Sequence, residues 1–243
     1  MSLSIILPIF KLEKSHLSLL NYYLDVTQNF DVVFILIVKN YSLDFNLSSY
    51  HKRIKLIVEN DNGIYDAMNI GVENTKCKYL YFLGDDDLLM PNFSSIFNCI
   101  GNKSYDIILF NVLYGDNNIF KNKPSKLNLL MKNFVHQGII YRRNFFLKHL
   151  NKYELKYKIF ADYHANLVLF SKTSNILYVD KTLCRYNDTG ISSRSSDEVF
   201  LNDYPLIIKN NYSAFLYCLA LLKKYLRFLL PYKFRRYLES FFH

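Results

Sequence analysis

The stretch DNGIYDAMNIGVENTKCKYLYFLGDDD, from Asp61 to Asp87, decides the fold of this 243-residue chain. A glycine turn that ends at Gly63 precedes a predicted helix, and the apolar run from Lys78 to Leu83 predicts a buried strand. Three carboxylates, Asp85 to Asp87, follow that strand directly. Neighbouring carboxylates repel one another and lose hydration when they are buried, so this position favours a bound cation. Ligands of open α/β sheets bind beyond the carboxyl ends of strands, so the stretch predicts a functional site.

The segments around this stretch alternate between strand and helix patterns. Leu3 to Leu7, Asp31 to Val38 and Arg53 to Glu59 predict strands, and Lys14 to Asn29 places leucines at helical spacing. The second of these strands is apolar at nearly every position, which is typical of a sheet that is covered on both faces. The alternation therefore predicts an α/β fold with a twisted, mostly parallel sheet and right-handed crossovers.

The second half of the chain continues the pattern with shorter elements. Tyr105 to Val112 predicts a strand that enters a hairpin turn, and Ile139 to Arg142 predicts another strand. An apolar helix is expected from Ala161 to Phe170, followed by short extended runs at Ile176 to Val179 and Thr182 to Tyr186. We expect this half to form the side of the site that faces a second substrate.

The central motif resembles a known enzyme family. The spacing of Glu59, Asp61, the run Gly63 to Asn69, Gly71 and the pair Asp86-Asp87 is similar to that of family 2 glycosyltransferases that build bacterial surface polysaccharides. The resemblance implies a GT-A-like fold, which is a twisted mixed sheet flanked by helices, here with a basic amphipathic helical tail at the C-terminus. From the residues alone, a solvated acidic turn and an ordinary helix start remain the alternative.

The resemblance also implies roles for the acidic cluster. In the family this D-x-D-like segment binds the ribose and the metal on the diphosphate of a nucleotide sugar, so the cofactor is expected to be Mg²⁺ or Mn²⁺. Asp87 is then the metal ligand, with Asp85 as a second ligand. The implied donor-binding residues are Pro8, Phe10, Asn40, Gly63, Tyr65, Asp66, Asn69, Asp85, Asp86 and Arg194.

One position departs from the family pattern. Where relatives carry an acidic pair after the second strand, this chain has Lys39 and Asn40. Asn40 is then expected to pair with the edge of the nucleotide base and Lys39 to meet a phosphate, and a solvent-exposed turn is the alternative. Arg194 follows a segment that resembles the family's G-I-S-S loop, where it would pair with phosphate. An ordinary linker is the alternative there.

Asp162 is the candidate general base. It lies in the segment IFADYH, from Ile159 to His164, at the start of a predicted helix where the macrodipole favours a carboxylate. A structural helix cap is therefore one interpretation. In the family, an Asp in this A-D-Y context lies where the general base is found, and an ionised carboxylate in a partly dry cleft is suited to accept a proton from an acceptor hydroxyl. The two roles are compatible.

A further segment, Phe134 to Gly138, resembles the His-Gln segment of this branch of the family. His136 is expected to ligate the metal or to contact the diphosphate, although a single His is more often structural. The implied acceptor-binding residues are His136, Gln137 and Tyr163.

Composition bounds the domain count and the partners. The chain carries a net charge of +9, and its 51% hydrophobic content is enough for one substantial core. We expect a catalytic domain over residues 1–200, with a nucleotide-sugar half at 1–112 and an acceptor half at 113–200, and a tail over 201–243. The basic excess is concentrated in the tail, and no nucleic-acid motif is present, so nucleic acid is not an expected partner.

The tail indicates a membrane surface. Ser213 to Leu230 combines leucine and phenylalanine with three basic residues, which is typical of a helix that lies in a membrane interface. A helix that covers the core or forms a dimer contact is the alternative. With four scattered cysteines and no secretory signal, we expect a cytoplasmic protein, peripheral on the inner face of a bacterial cytoplasmic membrane.

The predicted function is that of a metal-dependent, inverting glycosyltransferase. The donor is expected to be a nucleoside-diphosphate sugar, by preference a UDP-sugar, and the acceptor a lipid-linked oligosaccharide, lipopolysaccharide or capsule or O-antigen glycan. Two alternatives stay open at this point. One is an inactive subunit that binds nucleotide sugars or glycans, and the other is a nucleotidyltransferase.

Overall fold

The computed structural model describes residues 2–41, 51–93, 100, 103–115, 117–187 and 197–229. Its first elements lie in the order that the sequence predicts. They are β1 (Leu3–Leu12), α1 (Lys14–Val26), β2 (Val32–Tyr41), β3 (Ile54–Val58), α2 (Ile64–Glu73), β4 (Tyr79–Phe82) and β5 (Leu88–Leu89).

The second half alternates less regularly. Its elements are β6 (Ile107–Tyr114), β7 (Asn118–Phe120), α3 (Lys126–Met131), a 3₁₀ turn (His136–Gly138), β8 (Ile139–Arg142), α4 (Arg143–His149), α5 (Ala161–Ser171), β9 (Ile176–Tyr186), α6 (Glu198–Asn211) and α7 (Ala214–Leu229).

The strands of the described residues form one mixed sheet in the order β3-β2-β1-β4-β8-β6-β9-β5. The short strand β7 pairs antiparallel with the end of β6, from Val112 to Tyr114. β1 pairs in parallel with β2 and with β4, and β2 pairs in parallel with β3. β8 reverses direction and pairs antiparallel with both β4 and β6. The predicted α/β fold with a mixed sheet is confirmed. β6 also pairs in parallel with β9, so parallel pairing occurs on both sides of β8.

Both faces of the sheet are buried, which explains why β1 and β2 are apolar at nearly every position. Ile5 and Leu7 face one apolar cluster, in which α1 contributes Tyr23. Ile6 faces the opposite cluster, which contains Ile37 and the buried side of α2. Side chains alternate between the faces of a strand, so a strand covered on both faces needs apolar residues at consecutive positions.

The order of the strands sets the position of the site. From β1 the chain runs outward through β2 to β3, and it then returns to β4 on the other side of β1. Helices α1 and α2 follow β1 and β3, so their N-termini lie at the same edge as the carboxyl ends of the parallel strands. The acidic turn Asp85 to Asp87 follows β4 at this edge, where the strand order changes direction and ligands of open α/β sheets bind.

The C-terminal helices begin within the core. The predicted domain boundary after residue 200 falls inside α6, and Phe200, Tyr204 and Ile208 of that helix are buried. The hydroxyl of Tyr204 donates to the main-chain oxygen of Leu130 in α3. Residues 201–212 therefore pack on the helical layer next to α5, and residues 230–243 of the predicted tail lie outside the described residues.

The structure corrects the prediction for α7 at one of the three basic residues in the segment from Ser213 to Leu230. Lys223 points inward, where its Nζ donates to the main-chain oxygens of Leu130 at 2.8 Å and Met131 at 2.7 Å and lies over the ring of Tyr204. Lys223 is therefore not part of an outward basic surface. In the part of the chain that the structure describes, no helix combines the length and the apolar character that a membrane span requires.

Candidate active site

The acidic turn after β4 contains one buried carboxylate and two that are more accessible. Asp87 is buried, and its Oδ2 accepts a hydrogen bond from Gly84 N at 2.8 Å while its Oδ1 accepts one from Asn187 N at 3.1 Å. Burial raises the pKa of Asp87 to about 6, although the donors at Asn187 and Gly84 lower it. Asp87 thereby joins the end of β4 to the end of β9.

The other two carboxylates lie toward solvent. Asp86 is exposed, whereas Asp85 is partly buried with its Oδ2 3.8 Å from Nε2 of His16 in α1. Burial and the charge of Asp86 raise the pKa of Asp85. The loss of hydration and the mutual repulsion inferred from the sequence are therefore present at Asp85 in the structure.

The carboxylates of this turn are the candidate ligands of the predicted metal ion. Among the described residues, no group of three or more His, Cys, Asp or Glu side chains is arranged to hold a metal ion. Mg²⁺ that is bound with a nucleotide takes only one or two protein carboxylates, because phosphate oxygens and waters complete its shell. Asp87 and Asp85 provide that number, so the turn fits an ion that arrives with a diphosphate.

The 3₁₀ turn brings Gln137 next to the acidic turn. A hydrogen bond from the Gln137 side chain lowers the pKa of Asp87, and the main-chain oxygen of Gln137 accepts from Tyr81 Oη at 2.8 Å. Buried Asn122 fixes the start of this segment through two hydrogen bonds with the main chain of Val135, at 2.9 and 3.0 Å. Gln137 is thus held beside a predicted metal ligand.

His136, the predicted metal or diphosphate contact, is largely shielded from solvent. It is buried, its Nε2 lies 2.9 Å from Tyr153 Oη, and its ring stacks on Phe82 with centroids 5.1 Å apart. Burial lowers the pKa of His136 to about 4, so the ring is neutral at pH 7. Nε2 is taken up by Tyr153, which leaves Nδ1 as the ring nitrogen for the predicted metal or diphosphate contact.

Asp162 occupies the first turn of α5, as predicted, and both of its carboxylate oxygens are hydrogen-bonded. Tyr65 Oη lies 2.9 Å from Oδ1, and Asn133 Nδ2 donates to Oδ2 at 2.8 Å. Burial raises the pKa of Asp162 to about 6, against the lowering effects of Tyr65, Asn133 and the N–H groups of the helix start. The N-cap of α5 is Phe160, so Asp162 is not the cap residue; it is a carboxylate of raised pKa in the first turn of the helix.

Two features around Asp162 give no recognisable signal in the sequence. Asn133 accepts from Asn166 Nδ2 at 2.8 Å, and Asn166 accepts from Tyr141 Oη at 2.6 Å. Asp197, which precedes α6, accepts from Phe200 N and also from Ile159 N at 2.9 Å. These partners come from separate segments of the chain, so spacing along the sequence does not reveal them.

The predicted donor-side residues divide into an exposed and a buried group. Phe10 is 70% exposed at the end of β1, where its main-chain oxygen accepts from Asn40 Nδ2 at 3.1 Å, and Pro8 is partly exposed in the same strand. Gly63 has φ 125°, a conformation that favours glycine, and its N–H donates to Asp61 Oδ1 at 2.9 Å. Asp66 accepts from the main chain and the side chain of Asn62, both at 2.9 Å.

Three predicted contact residues are used by the protein itself. Asn69 is buried and holds the backbone of Tyr153, through Nδ2 to O at 3.1 Å and Tyr153 N to Oδ1 at 2.8 Å. Tyr65 is directed to Asp162 instead of to a donor. Tyr163 is buried, and its hydroxyl lies 2.7 and 3.0 Å from the carbonyls of Leu129 and Leu130, so the structure assigns it to packing instead of the predicted acceptor contact. Arg194 lies outside the described residues.

A path of contacts joins the acidic turn to Asp162. Gln137 contacts Asp87 and is followed back along the chain by His136, which contacts Tyr153. The ring of Tyr153 lies 5.5 Å from that of Tyr65, which contacts Asp162. The site thus contains a partly exposed acidic turn and a raised-pKa carboxylate that are connected by ordered side chains.

Comparison with known proteins identifies the family. The model described as "Glycosyl transferase family 2" matches residues 4–175, which is more than half of the chain. The chain belongs to glycosyltransferase family 2. Among curated relatives of this family 2 protein is the "PGL/p-HBAD biosynthesis glycosyltransferase" of Mycobacterium bovis (strain BCG / Pasteur 1173P2), which is 30% identical over 162 residues. The match covers 64% of this chain and 63% of the relative, so the chain spans less than two thirds of the relative's length.

Solved structures share the fold of this family 2 chain. S. aureus TarS 1-349 in complex with UDP-GlcNAc has a TM-score of 0.66 and 18% identity, over 86% of this chain and 66% of that chain. Mannosyltransferase PcManGT from Pyrobaculum calidifontis, in complex with GDP-Man and Mn²⁺, has a TM-score of 0.55 and 11% identity, over 85% and 61%. At these identities the likeness shows the fold alone, and it confirms the predicted GT-A-like architecture.

The raised pKa of Asp162 predicts a stability effect that depends on pH. An unfolded Asp titrates near ~3.9, whereas Asp162 in the fold titrates at about 6. The folded state therefore binds the proton more tightly, and the charged carboxylate destabilises the fold fully above pH 6 and progressively less as the pH falls toward 4. Asn at this position would accept from Asn133 and donate to Tyr65 without a charge. We expect Asp162→Asn to stabilise the apoprotein at pH 8. The gain is at most about 3 kcal/mol, and solvent screening of the partly exposed side chain makes it smaller.

Urea denaturation of both proteins at pH 8 and pH 4.5 measures this effect. The gain is expected to shrink at the lower pH, where wild-type Asp162 is protonated in the fold. A gain of equal size at both pH values, or a loss at pH 8, would contradict the assignment of a raised pKa.

Proposed function

We propose that this family 2 protein is a metal-dependent, inverting glycosyltransferase that moves a sugar from a nucleoside-diphosphate sugar, by preference a UDP-sugar, to an acceptor hydroxyl. The acceptor class is a lipid-linked oligosaccharide, lipopolysaccharide or capsule or O-antigen glycan. The observation that carries the proposal is the geometry around Asp162. Its partly buried carboxylate is held by Tyr65 and Asn133, and side-chain contacts through Tyr153 and His136 join it to the acidic turn. The names of the matched proteins, which include a biosynthetic glycosyltransferase and complexes with UDP-GlcNAc and GDP-Man, support the same class of donor.

The acidic turn would hold the donor's diphosphate through a divalent ion. Asp87, with Asp85 beside it, offers the carboxylates, and bound Mg²⁺ or Mn²⁺ supplies positive charge that offsets the charge of the departing nucleoside diphosphate. Gln137 is placed to keep the Asp87 carboxylate in its orientation. Asp86 and the exposed end of β1 are accessible from solvent at the same edge, where the nucleoside would lie.

Asp162 would act on the acceptor. Its ionised carboxylate accepts the proton of the attacking hydroxyl, and the oxygen forms a bond to the anomeric carbon as the bond from that carbon to the diphosphate oxygen breaks. A single displacement of this kind inverts the anomeric centre. The Tyr65 and Asn133 hydrogen bonds favour the ionised form of Asp162 and so limit the rise of its pKa that burial causes. A pKa of about 6 leaves the base ionised at neutral pH but still able to hold a proton.

The base assignment is tested by Asp162→Asn. We expect transfer to fall by about 10²- to 10⁴-fold, because general-base catalysis contributes that much, while donor affinity stays within about twofold. Transfer is measured with radiolabelled UDP-sugars in membranes that supply the acceptor, and donor affinity by calorimetry. Asp203→Asn is a matched control that should keep its activity. It removes a carboxylate on α6 that pairs with Lys156. Normal turnover by Asp162→Asn would remove the base assignment.

The metal assignment is tested by Asp87→Ala. We expect the Mn²⁺-dependent part of UDP binding to be lost, because the ion would lose its protein carboxylate, while weak binding without metal persists. Calorimetric titration of UDP with and without Mn²⁺ measures both parts. Circular dichroism is the accompanying check, because the Asp87 carboxylate also accepts from Gly84 and Asn187. An unchanged titration in a folded variant would rule out the ligand role.

We also propose that the protein is peripheral on the cytoplasmic face of the bacterial membrane, through α7. The outward side of this helix carries Phe215, Leu222 and Tyr225, which are 70%, 52% and 62% exposed and lie at helical spacing. Lys224 of the same helix is half-buried, and its Nζ donates to the main-chain oxygen of Asn202 at 3.4 Å. Apolar side chains next to basic ones favour the interface of an anionic bilayer.

The membrane proposal is tested by Phe215→Glu combined with Leu222→Glu. We expect this variant to sediment less with anionic phosphatidylglycerol vesicles than the wild type does, because it removes apolar contact and adds negative charge. Ile119→Glu, at an exposed apolar residue of β7, is the matched control and should bind as the wild type does. Undiminished binding of the double variant would exclude α7 as the docking helix.

A further inference from the structure

We infer that the buried side chains Tyr141, Asn166 and Asn133 form a positioning relay for Asp162, and that this relay selects Oδ1 as the oxygen that takes the proton. Tyr65 completes the arrangement on the Oδ1 side. The inference rests on the proposed function, because it takes Asp162 as the base. All four residues act on the reaction through Asp162, so they are positioning residues.

The relay has a direction, which the ionised carboxylate of Asp162 sets, because it accepts hydrogen bonds only. Tyr141 Oη donates to Asn166 Oδ1 at 2.6 Å, which leaves the amide nitrogen of Asn166 to donate to Asn133 Oδ1 at 2.8 Å. The amide nitrogen of Asn133 then faces Asp162 Oδ2 at 2.8 Å. Asn166 is fully buried, so its amide is held by packing as well as by hydrogen bonds. Asp162 Oδ2 is therefore presented with a donor, from which it accepts either as an ionised oxygen or as the carbonyl oxygen of an acid that is protonated at Oδ1.

The Oδ1 side is built differently, around one hydroxyl hydrogen with two acceptors. Tyr65 Oη lies 2.6 Å from the main-chain oxygen of Ile159 and 2.9 Å from Asp162 Oδ1. When Asp162 is ionised, the hydroxyl donates to Oδ1. When Oδ1 carries a proton, Asp162 donates to the Tyr65 oxygen and the hydroxyl turns to Ile159. The same geometry thus satisfies both protonation states through the rotation of one O–H bond.

The two oxygens therefore differ in what protonation requires. A proton on Oδ2 would oppose the N–H of Asn133 unless the amides of Asn133 and Asn166 both reversed inside the packed core. A proton on Oδ1 requires only the hydroxyl of Tyr65 to rotate. In the transfer step the O–H bond of the acceptor breaks, its electron pair stays on the attacking oxygen, and the proton forms a new bond to Oδ1.

Asp197 keeps the second acceptor of Tyr65 in place. Its Oδ2 accepts from the N–H groups of Ile159 at 2.9 Å and Phe160 at 3.2 Å, while its Oδ1 accepts from Phe200 N at the start of α6. These bonds fix the loop before α5, and with it the carbonyl of Ile159 toward which the hydroxyl turns. The helix α6 therefore contributes to the proton-accepting site without contacting it.

The inference is tested by the pH dependence of kcat/KM for the full-length protein with a radiolabelled UDP-sugar. Asn133→Ala removes the donor to Oδ2, and Asn166→Leu removes the amide that orients this donor. A donor binds the ionised oxygen more strongly than the carbonyl oxygen of the protonated acid, so we expect the acid limb of the profile to move up by about one pH unit. At pH 8.5 and above, where Asp162 is ionised in every variant, kcat/KM is expected to return toward the wild-type value. A variant that was merely damaged in its structure would stay slow at every pH. Tyr65→Phe should move the limb in the same direction, because the Tyr65 hydroxyl also lowers the pKa of Asp162.

Controls separate the possible failures. Tyr212→Phe removes a hydroxyl that donates to Leu167 O at 2.7 Å in the same helical layer, and its profile should match that of the wild type. If the amide variants do not fold, Tyr141→Phe tests the relay more gently, with a smaller upward shift. An unmoved limb in the folded relay variants overturns the relay, and with it the choice of Oδ1, because that choice depends on the donor that the relay presents to Oδ2. If Asp162→Asn itself turns over normally, the proposed function has failed instead.

Discussion

The carboxylate of Asp162 is the group on which the arrangement of the site depends. A carboxylate that is moved out of water costs several kcal/mol unless hydrogen bonds replace its hydration, so its neighbours must be donors in fixed positions (about 1.5 to 3 kcal/mol for each bond to a charged group). Here the donors come from α2 through Tyr65, from the segment after α3 through Asn133, and from the start of α5 itself. Three separate parts of the chain must therefore converge before the carboxylate is satisfied.

The same convergence links the two halves of the site. The parallel strands end in the acidic turn, and Gln137 and His136 carry contacts from that turn to Tyr153. Tyr153 is held in turn by Asn69 on α2, which also carries Tyr65 to Asp162. Two residues of the motif from Gly63 to Asn69 thus join the acidic turn to Asp162: Asn69 holds Tyr153, and Tyr65 contacts Asp162. Ala67, Met68 and Asn69 of this motif are buried, whereas Ile64 is 51% exposed.

The sequence predicted the longer strands, the helices α1, α2, α5 and α7, and the positions of Asp87 and Asp162, because these depend on local periodicity and on a motif of fixed spacing. It did not predict the short strand β5 or the helices α3, α4 and α6. It did not predict Asn133, Asn166 or Asp197, which are polar residues without a local pattern that become partners only through folding. It also assigned Asn69 and Tyr163 to substrates, because a motif match does not show whether a polar side chain points outward or into the core. Two predicted short strands, Ile176 to Val179 and Thr182 to Tyr186, are one strand whose register shifts opposite Asn111. The inward direction of Lys223 was missed for a similar reason. The main-chain oxygens of Leu130 and Met131 that accept from it come from a distant part of the chain.

The titration of Asp162 in the folded apoprotein tests the central claim most directly. The carboxyl carbon can be followed by ¹³C NMR with labelled aspartate, and its resonance is identified by its absence in Asp162→Asn. The account predicts a midpoint near pH 6, because burial outweighs the donors that surround the group. A midpoint near the ordinary value of about 3.9 would show that the carboxylate is not held as described, and would contradict the account.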